Sequence, residues 1–249
     1  VGGATTDLHS VTVESDQVAR LMISPEPKAK RTVEGDLGVY VNRWKVVESI
    51  GEEKLREQCR EQGFSMEHAL ETYRAIPKTE EEVKLVELLT REAVVKAAER
   101  HAGRLRYIYG PSGRSTVAEG KDLTQVKYIV GTGGALTRLP HREEIMREIT
   151  RCNESGMLLL PGEHAQILVD HDYIMASLGV LSKLYPQAAA RLLEQSLGMT
   201  FPERKAEEPV PVCNKELSRL ETQRQQREEE LQRHIEECEA MGYDMSAYR

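Results

Sequence analysis

The chain has 249 residues, 39% of them apolar, enough to bury a sizeable core in one large domain or one domain with a helical insert. A formal net charge of -7 without any clustered Lys/Arg face argues against a nucleic-acid partner, whose phosphates require such a face. The cysteines Cys59, Cys152, Cys213 and Cys238 form no C-x-x-C pair and no apolar run reaches the ~18 residues of a membrane span, so neither a zinc site, a disulfide framework nor a membrane is expected, and the expected location is the reducing cytoplasm.

Val1-Gly2-Gly3-Ala4-Thr5-Thr6-Asp7 reads as the middle of a strand-turn-strand, so the sequence is expected to be part of a longer polypeptide. Leu8, Val11 and Val13 continue it as a strand, and the turn Gly35-Asp36-Leu37-Gly38 predicts another strand over Val39, Tyr40 and Val41. Residues 52–74 turn helical with a break at Gly63, and Pro77 closes this segment, read as an insert over 52–76. Thr79 followed by Glu80, Glu81 and Glu82 is an N-cap with acidic residues on the positive end of the helix dipole. Val83, Val86, Leu89, Ala93, Val94 and Ala97 recur at threes and fours, an apolar stripe expected to pack on a sheet and to run to Gly103.

Residues 110–120 read as a Gly/Ser loop, in which Gly110 to Arg114 lacks the Gly-Lys-Ser/Thr ending of a Walker loop. Val126, Tyr128, Ile129 and Val130 predict a short buried strand that ends abruptly in Gly131-Thr132-Gly133-Gly134. Helices are predicted over 142–151, 173–184 and 188–197, and a short strand over 157–160 before Pro161. Residues 205–211 form a charged, Pro-containing linker, and 215–241 a highly charged helix that is either a solvated tail or a docking element. The organisation is therefore a lobe over 1–204 followed by a linker and charged helix over 205–249.

Two places carry chemistry. In the opening loop, Gly2 and Gly3 let backbone N–H groups approach an anion, Thr5 and Thr6 offer hydroxyl donors, and Asp7 is suited to hold a metal-bound water. The same residue types also serve ordinary hairpins. At the second place a buried strand feeds Gly131, Gly133 and Gly134, glycines that admit a flat base, and Arg138 follows with a planar guanidinium able to lie on an adenine face. His164, Asp170, His171 and Asp172 lie close together, but without helix-face spacing they read as capping and loop residues, and Trp44 reads as core.

The two glycine turns, in this order with a long helix between them, resemble the second phosphate motif and the adenosine motif of the actin, sugar-kinase and heat-shock chaperone ATPase superfamily. Gly2 to Ser10, Glu34 to Gly38, His101-Ala102-Gly103, Gly120 to Thr124 and the Gly131 turn are more closely similar to the glutamate mutase accessory proteins, the MutL or GlmL type, over about 1–200. The resemblance implies an α/β, actin-like (ribonuclease H-like) lobe with a mixed sheet. It also implies an ATPase that acts as a chaperone-like reactivating factor, exchanging damaged cobalamin for adenosylcobalamin on a carbon-skeleton mutase, its expected partner. By residue it implies that Gly2, Gly3, Thr5 and Thr6 meet the phosphates of ATP, Thr5 and Asp7 serve catalysis, Asp7 organises Mg, and Gly131, Gly133, Gly134 and Arg138 hold the adenosine.

The aspartate that the motif places just before Val1 is absent, as are the first phosphate motif and the linking helix. Phosphoryl transfer needs positioning and charge stabilisation from both sides of the γ-phosphate, so the 249 residues alone are expected to be a poor or inactive ATPase. A non-hydrolysing actin-fold scaffold that binds a protein partner is the alternative reading, and a sugar or acid kinase of the same superfamily a third.

Overall fold

More buried and more exposed residues alternate through Thr6–Val11, which form strand β1 and pair antiparallel with β2 (Ala29–Glu34), placing Thr6 opposite Glu34 and Val11 opposite Ala29. A short helix α1 (Asp16–Ala19), capped by the Ser15 hydroxyl on the Val18 N–H, fills the connection. The computed structural model describes residues 1–111, 113–153 and 155–200, together with Arg233.

After β2 come α2 (Arg43–Ile50), α3 (Glu52–Glu61) and α4 (Met66–Glu71), with the predicted break at Gly63 between the last two. Val46, Val47, Leu55, Cys59, Ala69 and Leu70 turn inward against one flank of the long helix α5 (Glu80–His101). Thr79 and Glu82 cap that helix reciprocally, so the start read from sequence is the observed one. Its other flank buries Val86, Val94 and Ala98 against Leu136, Ile145 and Met146, so α5 divides two apolar clusters and contacts β1 and β2.

Beyond α5 lie β3 (Arg104–Gly110) and β4 (Gly113–Glu119), paired antiparallel, then β5 (Tyr128–Gly131), α6 (Gly134–Arg138), α7 (Arg142–Arg147) and a 3-10 turn over Glu148–Thr150. β6 (Gln166–Val169) pairs parallel with β5, and α8 (Met175–Leu181) and α9 (Pro186–Leu197) follow. The result is a mixed α/β architecture. Among the described residues its strands form three separate two-stranded sheets, not the one mixed sheet expected.

Four local readings need correction. The segment 110–120 is not a loop: Tyr107 stands opposite Thr116 and Leu105 opposite the fully buried Ala118, and this cross-strand pairing outweighs the local turn signal of Gly and Ser. Val39, Tyr40 and Val41 form no strand, because their N–H groups donate to the carbonyls of Gly2 and Gly3 at 3.2, 2.8 and 2.7 Å. Residues 157–160 stay extended but only bridge: Leu105 N–H donates to Met157, Leu159 N–H to Gly103, and Leu123 N–H to Leu159. Trp44 is 55% exposed, with the Arg43 guanidinium carbon 5.3 Å from its ring, and belongs to no core.

Val1–Thr200 make one compact unit and Phe201–Arg249 a second. Arg233 is helical and exposed; the predicted linker and the rest of the predicted charged helix lie outside the described residues. No helix among the described residues is long and apolar enough to cross a membrane.

Candidate functional site

The first turn is a tight reversal in which Gly2 N–H donates to Thr5 C=O at 2.9 Å, while Gly2 and Gly3 carbonyls hold the segment 39–41. Gly38 packs its backbone so closely on Ala4 that a Cβ there would sit 2.2 Å from the Ala4 carbonyl. Thr5 donates its hydroxyl to Asp7 Oδ2 at 3.0 Å, and Arg31 Nη2 donates to Oδ1 at 2.8 Å. The Arg31 hydrogen bond, with the Thr5 hydroxyl adding to it, holds the Asp7 carboxyl below the usual carboxylate range, so Asp7 is an anion at neutral pH. Thr6 points the other way: it is buried and its hydroxyl donates to Leu37 C=O at 2.7 Å, which takes it out of the ligand-facing set.

The second turn leaves the C-terminal end of β5. Gly131 is buried against Met146 and Leu136, so it serves packing. Gly133 has φ 93°, and a Cβ there would lie 2.5 Å from the Val1 carbonyl oxygen, so a side chain is excluded twice over. The Val1 nitrogen in turn donates to Thr132 C=O at 3.0 Å. The two turns therefore touch, although β1 and β5 belong to different ladders. At Gly134 an added Cβ would meet nothing within 4 Å, and Arg138 is exposed, with no ion pair or side-chain hydrogen bond to other described residues.

A buried carboxylate anchors the second turn. Asp170 accepts from Thr132 Oγ1 at 2.8 Å, Ser196 Oγ at 2.7 Å, Ile174 N–H at 3.1 Å and Met175 N–H at 2.9 Å. Burial pushes its pKa up, but these donors outweigh burial and leave it below the usual range. The capping role expected of Asp170 is the one it has at the start of α8, but the bond that fixes Thr132 was not foreseen. The one signal for it in the sequence is an aspartate directly after an apolar run.

Gly2, Gly3, Gly134 and Arg138 line one cavity of about 270 Å³, shared with Tyr40 and Tyr73. Those two rings stack with centroids 6.1 Å apart, and the Arg43 guanidinium carbon lies 5.9 and 5.4 Å from them. No spacing in the sequence pairs these tyrosines; the chain reversal between β2 and α4 brings them together. The glycine backbones and the unpaired Arg138 fit an anionic, planar ligand. For a metal the fit is thinner. Among the described residues no group of three or more His, Cys, Asp or Glu is placed to hold an ion, and Asp7 already shares one oxygen with Arg31.

An α/β lobe in which two glycine turns meet beside an arginine and a tyrosine pair is the class of protein that fold and site define. The chain belongs to the MutL protein family, whose model matches residues 1–197. Protein MutL of Clostridium tetanomorphum is 34% identical over 203 residues, covering 79% of this chain and 44% of that protein. The chain thus spans less than half the length of this relative. No solved structure matches it.

Proposed function

We propose that the chain is the nucleotide-binding lobe of an actin-like ATPase that reactivates an adenosylcobalamin-dependent mutase of the glutamate mutase type, within the accessory role that membership of the MutL family supports. The observation that carries this reading is the contact between the two turns, which puts Gly2 and Gly3 in the same cavity as Gly134 and Arg138. In this reading the Gly3 N–H, with the Thr5 hydroxyl reaching in from beside the cavity once it leaves Asp7, meets the phosphates of ATP, while Gly134 leaves room for the base and Arg138 lies on it. Mg would supply charge neutralisation on the phosphates. Asp7 would hold one of its waters once freed from Arg31.

The coupling to a mutase follows from the way a ligand moves a conformational equilibrium, by no more than its differential affinity for the two states. A lobe that closes on ATP changes what it offers the mutase. The test incubates an inactivated mutase with fresh adenosylcobalamin and the full-length protein, with and without Mg-ATP. Recovery only with Mg-ATP is expected, and equal recovery in both tubes would refute the ATP-dependent reading.

A second reading, a non-hydrolysing scaffold in the same location, is favoured by one observation: Asp7, the residue a hydrolytic site needs free, is ion-paired to Arg31 at 2.8 Å. Full-length protein that binds ATP without turnover and still binds the mutase would support it.

A further inference from the structure

We propose that the hairpin β3–β4 is a docking arm whose distal half seats in an acidic pocket on the surface of the partner mutase. This rests on the mutase as partner and not on nucleotide binding.

The hairpin is built in two halves. At its base Leu105 stands opposite Ala118, and both sink into a small apolar cluster with Val18, Met22 and Leu159. Both outer edges are paired there: Leu105 N–H donates to Met157 C=O at 2.7 Å, Ala118 N–H to Leu21 C=O at 2.7 Å, and Ile23 N–H to Ala118 C=O at 3.1 Å. Beyond the base this support stops. Among the described residues no other segment makes a backbone bond to 106–111 or 113–117.

Alternation along the ladder puts Tyr107, Tyr109 and Arg114 on the face that continues Leu105 and Ala118, and Ile108 on the opposite face. Neither face is covered: Tyr109 is 79% exposed, Ile108 50% and Tyr107 47%. The Arg114 guanidinium carbon lies 4.4 Å from the centre of the Tyr107 ring, reaching it across the diagonal of the ladder, so this face is ordered before anything binds. A two-stranded ribbon with water on both sides is marginal by itself. Three large side chains at its far end gain no hydrophobic stabilisation until a partner covers them.

Charge selects that partner. Tyrosine and arginine are the side chains that most often carry the binding energy of a protein interface. The arm has three arginines, Arg104, Arg106 and Arg114, against one acid, Glu119, which Arg106 already engages at 2.8 Å. Arg104 and Arg114 have no ion pair or side-chain hydrogen bond to other described residues, on a chain whose net charge is -7. Two unneutralised guanidinium groups beside two tyrosines are complementary to carboxylates around an apolar pocket. A second copy of the arm would present the same arginines, so pairing of arm with arm is opposed by like charge. The negative charge of the chain opposes a nucleic acid.

Calorimetry of the full-length protein with the purified mutase, at several salt concentrations, tests the arm. Tyr109→Ala should weaken binding by about 10-fold or more, and Tyr109→Phe, which keeps the ring, should retain most of the affinity. Arg104→Glu with Arg114→Glu should weaken it further and flatten its dependence on salt, a change that a merely structural role would not produce. All three side chains are exposed, so melting temperatures should match the parent's. Parent affinity in every variant would overturn the arm and leave the mutase reading standing, whereas a parent that fails to bind the mutase would overturn both. Self-association of the parent that Tyr109→Ala abolishes would put a second copy on the arm and overturn the proposal. A separate measurement needs no loss of affinity: in full-length Tyr109→Cys, maleimide labelling of that peptide, read by mass spectrometry, should be fast alone and slowed by the mutase. Slow labelling without the mutase, or labelling that the mutase leaves unchanged, would overturn the proposal.

Discussion

The two glycine turns meet, yet they are supported in opposite ways. The Gly2 turn is held by backbone bonds, and its carboxylate Asp7 is engaged at the surface by Arg31. Behind it, β1 and β2 are tied to α5 by one buried histidine, His101, whose Nε2 lies 2.7 Å from Ser10 Oγ and whose Nδ1 lies 2.9 Å from Thr32 Oγ1. The Gly131 turn instead hangs on Asp170, a fully buried carboxylate with donors from three segments. A neutral ring supports one side and an anion the other, so the two supports fail under different conditions.

The largest effect should come from Asp170→Ala. It strands the Thr132 and Ser196 hydroxyls and two amides, and removing one partner of such a buried network costs about 3 kcal/mol or more. Chemical denaturation should show that loss. Acid gives the next effect and separates the two turns. Burial, helped by Lys30, His9 and Lys121 nearby, pushes His101 down to about 4 from an ordinary 6.5, so the unfolded chain binds the proton first. Its contribution is complete above about 6.5 and is lost as pH falls through about 4, by at most about 3 kcal/mol at 1.4 kcal/mol per unit. Asp170 is depressed from a carboxylate value, so its contribution is complete above about 3.9 and fades only below that. Stability measured between pH 7 and 4 should therefore fall in the parent and stay flatter in His101→Gln.

Gly133→Ala should cost about 2 kcal/mol, from the left-handed φ and the contact with Val1, and should separate the turns without touching Asp170. In the full-length protein Arg138→Ala should weaken adenine-nucleotide binding by roughly 1 to 2 kcal/mol through a lost stacking contact, read by calorimetry, whereas Thr5→Ala should slow turnover. Unchanged affinity in Arg138→Ala would remove the base assignment. The smallest effect belongs to Arg31→Ala: an exposed pair contributes within about 0.5 kcal/mol, so stability should hold while the Asp7 pKa rises toward its ordinary value. A stability loss well above that would show that the first turn also depends on its carboxylate.

What the sequence by itself determined is what short-range chemistry encodes. Thr79 with Glu82 marks the start of α5, the threes-and-fours stripe gives its buried face, Gly63 separates α3 from α4, and the runs Gly2-Gly3 and Gly131 to Gly134 mark the turns, along with membership of the MutL family. These signals lie within a few residues of each other. The hairpin over 104–119, the strand at 166–169, the inward rotation of Thr6, the Tyr40–Tyr73 stack and the bond from Thr132 to Asp170 were decided by the tertiary structure alone. Each depends on which distant segment supplies the partner for a backbone edge, a ring or a buried carboxylate, and pairing across tens of residues leaves no periodicity for a local reading to find.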